Sequence, residues 1–472
     1  MYIQHKKISI RILMVMIIAV GFVSCRNYKE LTRVPQLDTK NLVRDAAENS
    51  TDTTSVATIP WKSYFPDAKL QTLIAEGLNH GYNMQVAMTR IQQAEAGLYM
   101  SKSAFLPTVA AAAQIDHTRF SSGKNGTDVF GYYTNINSLG LSVSWEADLW
   151  GKLSSQTKSK YAAYLNTLEY KKLIQTTLVS SIAKNYYSLQ ALDEQLRTTK
   201  ETTVLLQKSA ETMQALKDAG QQTQAAVEQS KALWYSTQLS VFTLESQIRQ
   251  TENAICVLIG RNPGSIDRGS IDNQMIPETM NRNVSIRSLA NRPDVKQAEL
   301  SLQSAYALTD AAKAAFYPSF GISSLTVGFA AGGISNFFSP ANLATEIIGG
   351  LTQPIFSRGQ LKGNLKITKA QQDEALLTFS NTMLTAGQEV SDILYSYKAS
   401  VSKNEWRDKQ VESLTKAVDY TQDLLKAGEA NYTEVLSAEQ NLLAAQLGKI
   451  SDKLEQLTQS VNLYRALGGG VQ

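Results

Sequence analysis

Residues 139–151 read Leu139-Gly140-Leu141-Ser142-Val143-Ser144-Trp145-Glu146-Ala147-Asp148-Leu149-Trp150-Gly151. Leu139, Leu141, Val143, Trp145, Ala147 and Leu149 alternate with Gly140, Ser142, Ser144, Glu146 and Asp148, the period of two that sends alternate side chains to opposite faces of a strand. A strand that crosses a bilayer needs about 9–11 residues, which this run supplies. A half-buried strand of a soluble sandwich would alternate in the same way. The flanking sequence decides between the two.

From Gly151 onward the pattern is helical to about residue 219, turns at Gly220, and is helical again to about 259. At about 1.5 Å per residue the first arm would reach on the order of 100 Å, a length stabilised only by lateral contact with similar helices. The whole unit then repeats: Gly151, Tyr187, Gly220 and Gly260 recur, 208 residues later, as Gly359, Tyr395, Gly428 and Gly468. A duplicated unit of strands joined to very long helices suits a tube built around an axis rather than an enzyme cleft.

Each copy is expected to open with a helix stopped by proline. One runs from about residue 83 to 105 before Pro107, the other from Pro293 to about 316 before Pro318. A strand pair follows each, about 108–150 in the first copy and about 319–357 in the second. Residues 108–116 are Ala-rich, 320–330 change phase around Ser323-Ser324, and the fourth strand is expected over about 346–356 with Pro354 near its end. Residues 119–138 and 331–345, rich in Gly, Ser, Asn, Phe and Tyr, read as the connecting loops. The returning helices carry coiled-coil seams: Val227, Trp234, Val241, Ile248 and Ile255, and then Leu443, Leu447, Ile450, Leu454, Leu457, Val461 and Tyr464.

The N-terminus has the layout of a secretory signal: Lys6, Lys7 and Arg11, an apolar run over 12–23, then Ser24-Cys25. Phe22-Val23-Ser24-Cys25 resembles the lipobox of bacterial lipoproteins, with Phe22 where Leu is usual, which would make Cys25 an acylated first residue. Ordinary cleavage nearby would leave Cys25 a free thiol instead. Loss of residues 1–24 removes three of the positive charges behind a net +4, so nothing suggests a nucleic-acid partner. Residues 25–59 are polar and aperiodic and read as a lipidated, extended segment; ordered structure is expected from Pro60-Trp61. The domain plan is therefore a first repeat over 60–261, a linker over 262–285 rich in Pro, Gly, Asp and Asn, and a second repeat over 286–472. Cys256, among Ile255, Val257, Leu258 and Ile259, reads as a small core residue.

Two strands per copy make a four-stranded sheet with two edges of unpaired backbone N–H and C=O groups. In hydrocarbon each such group costs several kcal/mol, so the sheet has to close by joining other copies. Two copies would give eight strands and three copies twelve; the edge argument accepts either.

Four segments carry a family resemblance: Trp145-Glu146-Ala147-Asp148-Leu149-Trp150-Gly151-Lys152, Asn291-Arg292-Pro293-Asp294-Val295, Pro354-Ile355-Phe356-Ser357-Arg358-Gly359, and Ala427-Gly428-Glu429-Ala430-Asn431-Tyr432-Thr433-Glu434-Val435-Leu436. Their order, twice over across the mature chain, resembles the TolC-like outer-membrane efflux channels, most closely the lipoprotein branch that serves resistance-nodulation-division (RND) pumps. The resemblance implies an α+β membrane protein: a homotrimer forming a 12-stranded β-barrel in the outer membrane, continuous with a periplasmic α-helical barrel, with residues 262–285 crossing an equatorial belt. It implies an adaptor protein at the helical tips that match Gly220 and Gly428, and an inner-membrane RND transporter as partner. The channel would be a passive conduit for small amphiphilic compounds or drugs, with no cofactor beyond covalent lipid on Cys25. The family's inward-facing acidic gate residue matches Ser437 here, a departure, and Glu434 one turn earlier would supply the negative ring instead.

Three other functions compete. An enzyme has little to work with, since beyond His5 only His80 and His117 remain and no HExxH, paired CxxC, P-loop or nucleophile elbow occurs. A structural lipoprotein tether explains Cys25 and the heptads but not the duplicated alternation. A duct for type I protein secretion fits the same architecture, although the lipid anchor leans toward the pump.

Overall fold

The computed structural model describes residues 34, 42–44, 59–119, 133–276 and 286–469. Cys25, residues 277–285 of the linker and most of residues 25–59 lie outside the described residues. In chain order the elements are α1 (Trp61–Tyr64), α2 (Ala68–His80), α3 (Tyr82–Ser103), β1 (Thr108–Arg119), β2 (Tyr133–Ala147), α4 (Lys152–Asp218), α5 (Gln224–Ile259), α6 (Pro293–Ala314), β3 (Ser319–Ala331), β4 (Leu343–Thr352), α7 (Gln360–Ala427) and α8 (Tyr432–Ala466), with short 3-10 turns between some of them.

The duplication is visible in the backbone. α4 and α7 have 67 and 68 residues, and α5 and α8 have 36 and 35. All six described glycines with positive φ, Gly151, Gly220, Gly260, Gly359, Gly428 and Gly468, belong to the repeated positions and fall between 75° and 81°. A side chain at these places would meet the Cβ penalty of the left-handed region, so the repeat is written in the residues that end or begin its helices. Tyr187 and Tyr395 have diverged: the first is buried and the second exposed.

Two compact units divide the chain. The first takes residues 91–167 and 298–379 and contains the sheet, ordered β1-β2-β3-β4 with every pair antiparallel. The phase change at Ser323-Ser324 is a register shift: β3 slips against β4 between Ile322 and Ser324, and β2 slips against β3 between Val143 and Trp145. β2 stops at Ala147 rather than continuing through the alternation to Leu149, because Asp148 turns to cap the next helix. β4 starts three residues earlier than expected and ends before Pro354, which removes that proline from the ladder altogether.

The second unit takes residues 37–90, 168–297 and 380–472 and is helical. Of the two expected seams, Val227, Val241 and Ile255 on α5 and Ile450, Leu457, Val461 and Tyr464 on α8 are buried, while Trp234, Ile248, Leu443, Leu447 and Leu454 are half-buried. Polar pairs flank the packed stripes, Lys200 with Glu245 between α4 and α5, and Arg407 with Asp452 and Lys403 with Glu455 between α7 and α8. Pairs exposed to water are screened and stabilise little, so register is the main yield of the two lysine pairs.

Residues 42–44 do not run free. Val43 is buried, the Arg44 amide donates to Ser391 Oγ at 2.9 Å, and Leu42 O lies 2.3 Å from where a Cβ on Gly387 would stand. That approach explains a glycine inside α7, which otherwise costs about 1 kcal/mol relative to alanine. Residues 262–276 likewise pack: Ile266 and Ile271 are buried, and Arg268 pairs with Asp193 and Glu252. Cys256 is fully buried with its Sγ 3.4 Å from Gly264 O, as a core residue should be.

Candidate functional site: an open sheet and a helical tip

The register sorts the sheet into two chemically distinct faces, since directly paired residues share a face. Val109 faces Val143, Ala111 faces Leu141 and Ala113 faces Leu139; Leu139, Leu141 and Val143 in turn meet Phe329, Val327 and Leu325; and Leu325 and Phe329 meet Ile347 and Leu343. The alternate set pairs Ala110 with Ser142, Ala112 with Gly140, Gln114 with Ser138, Ser142 with Thr326 and Thr326 with Glu346. One face is thus mainly apolar across all four strands, with Asn137 and Thr345 as exceptions, and the other is mainly small or polar, with Ile136 and Ile348 as exceptions.

The apolar face is bare. Val109, Ile115, Leu139, Leu141, Val327, Leu343 and Ile347 are all exposed, Ile347 at 73 %. A contiguous stripe of this kind needs an apolar surrounding. On the other face Gly140 and Gly328 pair directly, and a Cβ on Gly328 would come within 2.2 Å of Leu139 O, so the backbones leave no room for a larger residue there. Among the described residues β1 pairs only with β2 and β4 only with β3, which leaves two open edges.

Aromatic and polar groups mark where the strands become helices. Trp145 Nε1 donates to Phe105 O at 2.9 Å, and Trp150 Nε1 to Pro318 O at 2.7 Å with its ring stacked on Tyr317. Amphipathic rings at a strand end are what a membrane boundary selects. Asp148 accepts from the amides of Leu153 and Ser154 at 2.8 Å each, satisfying donors of the first α4 turn. Lys152 Nζ meets Glu146 Oε1 at 2.8 Å. The Trp145-to-Lys152 motif is therefore a strand-to-helix joint.

At the opposite ends of α4 and α7 the chain reverses. The amides of Gln221 and Glu429 each donate at 2.9 Å to the carbonyl five residues earlier, Leu216 and Leu424, the closure that a left-handed Gly220 or Gly428 permits. Nothing lies within 4 Å of a Cβ built on either glycine, so backbone conformation alone requires them. Thr223 and Asn431 then cap α5 and α8. Met213, Val227, Tyr432, Val435 and Leu436 form a buried cluster that joins these hairpins, and Tyr432 Oη lies 3.2 Å from Ser209 Oγ.

Glu434 and Ser437 are both exposed on the first turns of α8, with Ser437 Oγ donating to Thr433 O at 2.9 Å. Sequence reasoning quoted Tyr432 only as part of the Ala427-to-Leu436 segment and passed over Gln422 and Glu439 at this tip. Glu439 follows Leu436 by three residues and precedes Leu443 by four, the spacing of a core position. It is half-buried, burial pushes its carboxyl above the ordinary carboxylate range, and Gln422 Nε2 donates to its Oε1 at 3.2 Å.

A two-faced four-stranded sheet with bare apolar side chains and open edges, continued by paired helices of this length, defines the class: an outer-membrane channel protomer of TolC-like fold. The model of the outer membrane efflux protein family matches residues 73–261 and again 285–469, one match per repeat, and the chain belongs to that family. It is 27% identical over 413 residues to the probable outer membrane lipoprotein SilC of Salmonella typhimurium, covering 87% of this chain and 88% of the relative. With the cation efflux system protein CusC of Escherichia coli K12 it shares 25% identity over 415 residues, and coverage is again 87% and 88%. Two solved structures superpose closely: the outer-membrane channel OprN at a TM-score of 0.82 and 23% identity, covering 93% of this chain and 99% of that one, and the open state of the Neisseria gonorrhoeae channel MtrE at 0.80 and 23%, covering 94% and 98%. This chain is an outer-membrane efflux component.

Proposed function

We propose that this protein is the outer-membrane duct of a tripartite efflux system. Three copies close a 12-stranded barrel, and each chain contributes the four strands described above. A periplasmic adaptor meets the turns at Gly220 and Gly428, and an inner-membrane RND transporter drives cargo through a passive conduit. The cargo is small amphiphilic compounds. Cys25 carries the lipid anchor, and Glu434 with Ser437 forms the periplasmic entrance.

The observation that carries this reading is the sheet: its bare apolar face suits lipid, and its two open edges cannot persist in hydrocarbon without partners of the same kind. The relatives support it, since SilC is named an outer membrane lipoprotein, and others are named for cation efflux, toluene efflux and pyoverdine export. So wide a range of exported chemistry among similar chains is what a passive conduit would give. Affinity purification from membranes tests the assembly: co-recovery of an adaptor and a large inner-membrane transporter supports it, while recovery of a secretion ATPase points to protein export. At the entrance, Glu434→Gln should lower cation preference in planar bilayers while oligomer yield stays unchanged. Identical conductance in the two proteins would remove Glu434 from the entrance.

A further inference from the structure

Between α4, α7 and α8 of the helical unit lies a cavity of about 1000 Å3. Leu205, Met213, Leu216, Leu425, Val435 and Leu442 supply apolar wall, and Glu439 stands among the lining residues with Gln422. Glu439 Oε1 accepts from Gln422, but its Oε2 is buried and has no hydrogen-bond partner among the described residues. A buried carboxylate oxygen left unmatched is costly, and its presence beside the apolar wall of this cavity calls for a donor from outside the described contacts. Of the five cations that line the cavity, Arg197 is held by Glu194 and Glu201, Lys449 by Asp408, Lys426 by Asp423 and Lys453 by Gln274 O, and Lys208 forms no ion pair with Glu439 among the described residues.

We infer that this cavity is a binding site for a lipophilic cation, with the ammonium or iminium group on Glu439 and an apolar ring system against Met213, Leu216 and Leu425. The volume suits a drug-sized ligand, and the lining joins an apolar wall to polar and charged groups of both signs, which lets one cavity take a ring system and a charge together. Burial raises the Glu439 carboxyl above its ordinary range, so an arriving cation would hold it ionised and gain a charge-assisted contact in a place shielded from water. The bound molecule would touch both arms of the second hairpin and the descending arm of the first. It would therefore favour one arrangement of the tip. Binding is read on purified protein and conduction in a bilayer, so failure of this inference leaves the duct reading intact, and the converse also holds.

The test is rhodamine 6G titrated into the detergent-solubilised full-length oligomer, followed by fluorescence anisotropy, with neutral Nile red as the comparison. Saturable rhodamine binding is expected, weakened at least about tenfold by Glu439→Gln and by Leu205→Trp, which fills the cavity from an exposed wall position. Glu412→Gln, at an exposed ion pair with Lys416 on α7, should leave it unchanged. Should Glu439→Gln fail to assemble, Leu205→Trp alone decides. The inference is overturned if the unmodified oligomer shows no saturable binding, as when a neighbouring copy occupies the space. It is also overturned if either cavity variant binds as tightly as the parent, or if Nile red binds as tightly as the cation.

Discussion

At the scale of single residues, buried charge separates two kinds of position. Arg292 is 7 % exposed in its side chain and is fully engaged, by Asp294 at 2.8 Å, Glu389 at 2.7 Å and Ala466 O at 2.7 Å. It ties the start of α6 to α7 and to the end of α8, and Arg465 adds a second contact to Glu389. Arg292→Ala would leave Asp294 without its cation and Glu389 with Arg465 alone, and should cost about 3–5 kcal/mol, seen as loss of assembled protein or a much lower unfolding midpoint. Glu439 is the opposite case. Its carboxyl is raised by burial, so the folded state favours the neutral form, and its contribution to stability is full below about pH 4.5 and is lost as pH rises through the higher folded value. Glu439→Gln should therefore raise the unfolding midpoint by roughly 1–3 °C at pH 7.5 and have little effect at pH 4. A shift of equal size at both pH values would contradict this.

At the scale of elements, the faces of the strands carry the account. Leu141 stands on the apolar face and Ser142 on the small polar one. Leu141→Arg should cost about 2–4 kcal/mol near the bilayer midplane, whereas Ser142→Arg should leave insertion intact. The readout is the yield of heat-modifiable oligomer in outer membranes, and equal loss in both variants would mean that the faces are assigned the wrong way round. Much at this scale was legible in the sequence, because period-two alternation, heptad seams and repeated glycines are local signals. The limits of β2 and β4 were not. Asp148 continues the alternation in the sequence but serves as a helix cap, a role that depends on where the amides of Leu153 and Ser154 fold. Glu439 was passed over for a related reason: its spacing marks a core slot, yet a glutamate on a long helix is ordinarily solvated, and only the packing of α4, α7 and α8 reveals the burial.

At the scale of the whole molecule, the proposed duct makes one chain only part of the object. Soluble proteins cover or pair their sheet edges and hide apolar stripes of this size, and among the described residues this sheet does neither. The duplication explains how so large a wall is written in one sequence: each repeat provides two strands, an entry helix and a hairpin, and left-handed glycines recur before the first long helix, at the hairpin turn and after the returning helix. The open edges of β1 and β4 are complementary in the sense that closure requires, since a second copy presents the edge the first one lacks. On the proposed reading, a ring would follow once rotation about an axis brings the last edge to the first.

The claim on which all of this rests is that closure, and native mass spectrometry of the mature protein released from detergent micelles tests it directly. The account predicts a species of three chains that survives mild activation. A spectrum holding only single chains under conditions that keep the β-sheet folded would contradict it.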